Sequence, residues 1–257
     1  MKVHWKTNEF IVTLGKKLPI ASNLPKGFNQ ATSIRENKPL IRQIKSFLWP
    51  LVKIKTNILT DGFLEDQIGK LILKYFNSRK HTFLEVGCGD MSIRDKLPKN
   101  IFYNAFDLSL SDFFLKRTID DEYSNIAICS ATEIPLEDNS VDFIVSMEVF
   151  EHIPEINKAI SEISRIQRKD GYLCCTIPNN LCFKYDKAGK NIQHINEWGY
   201  EQFVNYMKTY NYELIEGKQM GRWLFHLGRN PIQLPFVSKD EYYNTNFIYC
   251  FKNNKKT

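Results

Sequence analysis

The sequence predicts an α/β fold, a doubly wound and mostly parallel sheet with helices on both faces. Three observations predict it. Short apolar runs at 82–86, 101–106, 126–129, 141–146 and 172–177 have the length and composition of strands. Amphipathic stretches lie between several of them, clearest at 155–167, where Ile156, Ala159, Ile160, Ile163 and Ile166 share one helical face. The runs are nearly continuous in apolar residues, as in VDFIVS at 141–146, which suits strands buried on both sides.

Taken in order, residues 1–37 show no sustained period and contain Pro19, Pro25 and Gly27, so an irregular lead-in is expected. Residues 39–60 place Leu40, Ile41, Ile44, Phe47, Leu48 and Leu51 at helical spacing, with Pro50 interrupting the helix. A second helical pattern, with Phe63, Leu64, Ile68, Leu71, Ile72 and Tyr75, covers 63–77. After the fifth strand a further helix is expected at 199–210, then strands at YELIEG (212–217) and NFIYCFK (246–252). The expected organisation is a basic lead-in over 1–60 and one domain over 61–257. Acceptor-side insertions are expected at about 179–198 and 218–245.

Composition narrows the class. The 257 residues are 43% apolar and 25% charged, which excludes wholesale disorder and a collagen-like chain. No apolar run reaches the length of a membrane-spanning helix. The stretch Phe10–Leu14 is too short for a signal-peptide core. Six cysteines form no C-x-x-C pair, so reduced thiols, no metal site and a cytoplasmic protein are expected. The net charge of +6 is concentrated at the start. Residues 1–60 hold eleven Lys/Arg against Glu9 and Glu36, leaving 24 basic against 27 acidic residues in the remainder. A basic arm on a near-neutral body predicts a local contact or a solvated surface rather than nucleic-acid binding throughout.

The chemistry-bearing motifs fall at strand ends. TFLEVGCGDMS (82–92) runs an apolar strand into Gly87-Cys88-Gly89, where the backbone can turn sharply, and a helix start after it would offer N–H groups. A dinucleotide fingerprint would place a third glycine at position 92, where Ser92 stands. Glu85, just before the loop, suits a ligand carrying an ammonium group rather than a pyrophosphate. The second strand ends in Asp107, with Leu108 beside it, 18 residues beyond Gly89. A carboxylate there can accept both hydroxyls of a ribose. Ser130-Ala131-Thr132 ends the third strand and could border an adenine. Met147 and Glu148 end the fourth, followed by Glu151-His152-Ile153-Pro154.

In this order and spacing, LEVGCGD, Asp107, LEDNSVDFIVSMEVFEHIP and DGYLCCTIP resemble the class I S-adenosylmethionine-dependent methyltransferases over about residues 60–217. The resemblance implies a Rossmann-like, seven-stranded sheet with an antiparallel last strand, and S-adenosyl-L-methionine as cofactor. It further implies that Glu85, Gly87, Cys88 and Gly89 hold the methionine portion and Asp107, with Leu108, the ribose. Ser130, Ala131 and Thr132 would flank adenine, and Met147 and Glu148 would border the cofactor. Two positions depart from the family: Ser130 replaces the usual adenine-capping Asp, and Met91 stands where many relatives have glycine.

On the acceptor side, His152 and His194 are the candidate catalytic groups, each able to take a proton from an acceptor hydroxyl or to shape a loop. Tyr185 and Trp198 could stack on a sugar or another ring. The expected activity is methyl transfer to a small-molecule or glycan hydroxyl. The alternatives are an RNA or other nucleic-acid methyltransferase and a non-catalytic cofactor-binding member. The basic, partly apolar segment 39–60 could touch an anionic membrane surface or pack on the domain.

Overall fold

The computed structural model describes residues 1–7, 9–13, 16–20, 34–35, 63–111, 121–179, 182, 193–227, 230–236 and 244–256. Its centre is a ten-stranded sheet in the order β1-β2-β7-β5-β4-β8-β9-β12-β10-β11. In chain order the strands are β1 (Glu9–Thr13), β2 (Lys16–Ile20), β3 (Ile34–Arg35), β4 (Phe83–Val86), β5 (Tyr103–Asp107) and β6 (Leu110–Ser111). They continue as β7 (Ser124–Ile128), β8 (Val141–Met147), β9 (Gln167–Pro178), β10 (Tyr212–Leu227), β11 (Asn230–Phe236) and β12 (Asn246–Asn253). β3 and β6 form a separate two-residue parallel pair. Strands β7, β5, β4, β8 and β9 are parallel. β12 inserts antiparallel between β9 and β10, which completes the seven-stranded mixed arrangement expected from the sequence.

The parallel strands are buried on both faces because alternate side chains enter two cores. Leu84, Val86, Phe106 and Ile144 point to one face. Helices α2 (Ile156–Ile166) and α3 (Tyr200–Lys208) cover it with Ile160, Ile163, Phe203 and Met207. Phe83, Tyr103, Phe143 and Val145 point to the other face, beneath α1 (Phe63–Tyr75) with Ile68, Leu71 and Ile72.

Two expectations are corrected. The lead-in is not wholly irregular, since β1 and β2 pair antiparallel and Ile20 bridges to Ile128 at the edge of the sheet. Val3 and Trp5 are built into the core. Val3 donates its N–H to Asn104 Oδ1 at 2.9 Å, and the Trp5 ring meets Phe106 edge-on with centroids 6.4 Å apart. The region 218–245 is not an insertion between two short strands. β10 runs unbroken for 16 residues and folds back through β11 as a hairpin. The helix expected at 39–60 lies outside the described residues, as does Tyr185. Among the described residues, no helix is long and apolar enough to cross a membrane.

Candidate functional site

The strand order reverses between β4 and β8, so the crevice lies at their C-terminal ends, beside those of β5 and β7. Gly87 has φ +69° and Gly89 φ +47°, the left-handed conformation glycine adopts without steric cost. Gly87 is also pressed by Val149 of the β8 turn, whose Cγ2 would lie 2.5 Å from an added Cβ. A Cβ on Gly89 would meet nothing within 4 Å. The two glycines therefore do different work: one admits a close neighbour strand end, the other faces open crevice.

The loop is fastened to β5. The N–H groups of Gly87 and Cys88 both donate to the Phe106 carbonyl, and Gly89 N–H donates to Asp107 Oδ2 at 2.9 Å. Asp107 Oδ1 accepts from Ser109 N–H at 3.2 Å. Each carboxylate oxygen thus keeps acceptor capacity for a ligand hydroxyl. Leu108 is 41% exposed next to it, an apolar surface fit for a purine or ribose face. The helix start expected after the glycine loop is corrected. Ser92–Lys96 is only a five-residue 3-10 turn entered through Met91 at φ 60°. That left-handed φ explains why glycine suits position 91. The Met91 side chain is buried in the core cluster that holds Ile68, Ile93 and Leu97.

Glu85 is buried, with its carboxylate accepting from the Tyr103 hydroxyl. The Cys88 thiol is buried and driven far up by burial and by the neighbouring Asp107 and Glu85 charges, so it is no nucleophile. Ser130 closes its own turn: its Oγ accepts from Thr132 N–H at 3.1 Å and pairs with Thr132 Oγ1 at 2.7 Å. Ala131 is buried beside it.

Beyond β8 the chain turns through Glu148 at φ 51°. Glu148 N–H donates to Thr176 O and Oγ1, both at 3.1 Å, and its Oε2 accepts from Asn246 Nδ2 at 3.1 Å. Glu151 is 1% exposed, and neither carboxylate oxygen has a hydrogen bond among the described residues. Burial, and then the adjacent Glu148 charge, push its carboxyl up to about 8. His152 Nε2 stands 3.6 Å from Glu151 Oε1, and the His152 and His194 rings meet edge-on with centroids 5.0 Å apart. The two sequence-predicted histidines are therefore brought together.

Residues that sequence reasoning missed hold this constellation. Asn196 Nδ2 donates to the carbonyls of Phe150 and Ile153, while Ile195 and Asn196 N–H groups donate to the Glu151 carbonyl. Residues 194–198 are thereby clamped onto the turn at 150–153. Arg165 does the same for the adenine-side loop, donating to the carbonyls of Ile134 and Leu136 and to Asp138 Oδ1. A hollow lined by Asp138, Arg165, Arg168, Tyr210 and Lys255 lies at the opposite end of β8 and includes neither His152 nor His194.

The crevice fits S-adenosylmethionine by its chemistry. Asp107 offers acceptors to a ribose. Glu148 beyond β8 supplies a negative field suited to a sulfonium and repulsive to a pyrophosphate. Comparison with known proteins agrees. Residues 84–175 match the family model described as a methyltransferase domain. A probable S-adenosylmethionine-dependent methyltransferase of Mycolicibacterium smegmatis is 28% identical over 97 residues, 37% of this chain and 36% of that one. The mitochondrial arginine-hydroxylase of Mus musculus is 21% identical over 61% of this chain and 46% of its own length. A solved SAM-dependent methyltransferase of Thermotoga maritima superposes with TM-score 0.52 at 18% identity, covering 75% of this chain and 92% of its own. Residues 84–175 are thus similar to the S-adenosylmethionine-dependent methyltransferases, and S-adenosylmethionine is the cofactor that this likeness supports. The chain spans less than half the length of the curated relatives it matches.

Proposed function

We propose that the protein transfers a methyl group from S-adenosylmethionine to a hydroxyl of a small-molecule or glycan acceptor. The pairing of His152 with His194 directly beyond the β8 turn carries this reading, because hydroxyl transfer needs a group that orients the oxygen and a route for its proton. Bound S-adenosylmethionine supplies a methyl group activated by the sulfonium, and its loss to oxygen leaves S-adenosylhomocysteine and a proton. Asp107 fixes the ribose and the glycine turn the methionine portion. The Glu148 carboxylate favours the cationic ligand over its sulfonium-free product, which assists product release. His152 Nδ1 donates to the Gln193 carbonyl at 2.9 Å, which leaves the Nε2 lone pair available. Trp198, packed on Phe203 and Tyr206, offers a ring edge near the same segment.

The test is an acceptor screen with methyl-labelled cofactor over phenols, sugars and lipid-free glycans, with amines and RNA as comparison sets. Label in a hydroxyl acceptor, reduced about 10²-fold or more in His194→Ala, supports the reading. Label only in amines or RNA, or unchanged turnover in both His152→Ala and His194→Ala, overturns it.

A further inference from the structure

We propose that Glu151, His152 and His194 form a divalent-metal site of the two-histidine, one-carboxylate kind on the acceptor side of the crevice. This departs from the sequence expectation, which looked for metal only in cysteine spacing and found none.

Their ligand atoms all lie within 4.8 Å of one another. Donors sharing one ion at about 2.0–2.2 Å stand about 3–3.5 Å apart. The Glu151 Oε1 to His152 Nε2 separation, 3.6 Å, is already close to that. The two edges to the half-buried His194, each within 4.8 Å, would have to close by about 1 Å.

The carboxylate supplies an independent sign. A buried carboxylate with both oxygens unpartnered is costly, and native proteins pair such groups with donors or cations. Glu151 has no donor, sits beside a second carboxylate, Glu148, and points at two imidazoles. A dication would satisfy all of these at once.

The histidine geometry fits the same role. A carbonyl oxygen only accepts, so the His152 contact with Gln193 O requires the proton on Nδ1 and leaves Nε2 as the lone-pair nitrogen. A ligating histidine whose other nitrogen donates to a backbone carbonyl is the usual outer-shell arrangement of a metal site. The clamps from Ile195 and Asn196 onto the 150–153 turn hold ligands from two chain segments in one frame.

Two imidazoles and one carboxylate select a first-row transition ion or Zn²⁺ over Mg²⁺ or Ca²⁺. Three protein ligands leave open positions, and the His152 side chain is 40% exposed, so an acceptor oxygen could complete the shell. Resting on the methyl-transfer reading, the ion would orient the acceptor hydroxyl and lower its pKa, the proton passing to water.

The test needs neither acceptor nor turnover. The tag-free, chelator-treated full-length chain is titrated with Mn²⁺ and followed by electron paramagnetic resonance, with Zn²⁺ as competitor. Calorimetry with S-adenosylhomocysteine is run in parallel. The expected result is one Mn²⁺ per chain, displaced by Zn²⁺. His152→Ala and His194→Ala should each weaken it about 10–100-fold with S-adenosylhomocysteine affinity retained. Glu151→Gln should do the same, and the two histidine variants decide the matter if that variant does not fold. No bound Mn²⁺, or binding indifferent to both histidine variants, overturns the metal site. If S-adenosylhomocysteine still binds in that case, the methyl-transfer reading survives on its own. Metal binding without S-adenosylhomocysteine binding overturns that reading and leaves the metal site standing.

Discussion

Gly87 joins the cofactor loop to the turn after β8, and a single methyl group tests how tightly. In Gly87→Ala the new Cβ would lie 2.5 Å from Val149 Cγ2 and 2.9 Å from Cγ1, on a backbone held at φ +69°. The left-handed backbone costs about 1–2 kcal/mol for a residue with a Cβ. The overlap with a β-branched neighbour costs about 1–3 kcal/mol more. A total of about 2–5 kcal/mol is a large part of the stability of an ordinary domain. The two contributions separate in a double-mutant cycle. Val149→Ala removes both clashing carbons and leaves only Val149 Cβ, at 3.3 Å. Gly87→Ala should therefore cost about 1–3 kcal/mol less in the Val149→Ala background than alone. The backbone part persists in both. Urea unfolding of the four proteins at equal temperature gives the coupling directly. Additive effects, or a Gly87→Ala variant as stable as the parent, would refute the close approach of these two turns.

Asp107→Ala should weaken S-adenosylhomocysteine binding by about 1–3 kcal/mol, since the ribose acceptors and the Gly89 tether vanish together; calorimetry with unchanged affinity in the folded variant would remove Asp107 from the site. Asp121 should govern acid stability. Burial works to raise its carboxyl, but hydrogen bonds from Arg94 and Ser124 outweigh it and hold the group below its ordinary 3.8. A depressed carboxylate contributes its stability above its unfolded pKa and loses it as pH falls through the folded value. Asp121→Asn should thus cost about 2–4 kcal/mol at neutral pH, because it leaves the largely buried Arg94 without its charge partner, and the gap should narrow below about pH 4. A gap that stays constant in acid-unfolding curves would count against the pair.

The sheet was legible because its signals are local. Buried parallel strands such as Val141–Met147 read as apolar runs, and α2 repeats isoleucine on one face. The site was legible in part for the same reason, since Gly87, Asp107 and Glu148 end strands that the pattern already marks. What sequence did not show depends on long-range partners. Asn196 lies more than forty residues from the carbonyls it clamps, and nothing local distinguishes it from a surface asparagine. Arg165 sits on an amphipathic helix like any exposed arginine, yet it fastens the adenine-side loop. β1 and β2 were missed because their pairing rests on an edge strand, and the length of β10 beyond Gly217 because it is set by its distant partners β12 and β11.

The placement of the first residues changes how the basic lead-in must be tested. Asn104 is fully buried and acts as a hub. Its Oδ1 accepts from Val3 N–H and from Asn125 Nδ2, and its Nδ2 donates to the carbonyls of Met1 and Phe83. Asn125 Nδ2 also donates to Val3 O, and Trp5 is 8% exposed against Phe106. Asn104→Ala would leave several buried groups unpaired, at about 1–3 kcal/mol for each that water cannot reach. Trp5→Ala should cost about 3–5 kcal/mol as a lost core aromatic. Deleting residues 1–60 would remove this docking with the charges, so a loss of liposome flotation in that deletion would report unfolding as readily as lost membrane contact. Neutralising Lys38, Arg42, Lys45, Lys53 and Lys55 to glutamine leaves residues 1–7 in place. If the segment meets an anionic surface, flotation with phosphatidylserine vesicles should fall by about 1 kcal/mol of binding per charge removed, at unchanged melting temperature. If the parent chain does not float, or the neutralised chain floats equally well, the segment has no such contact.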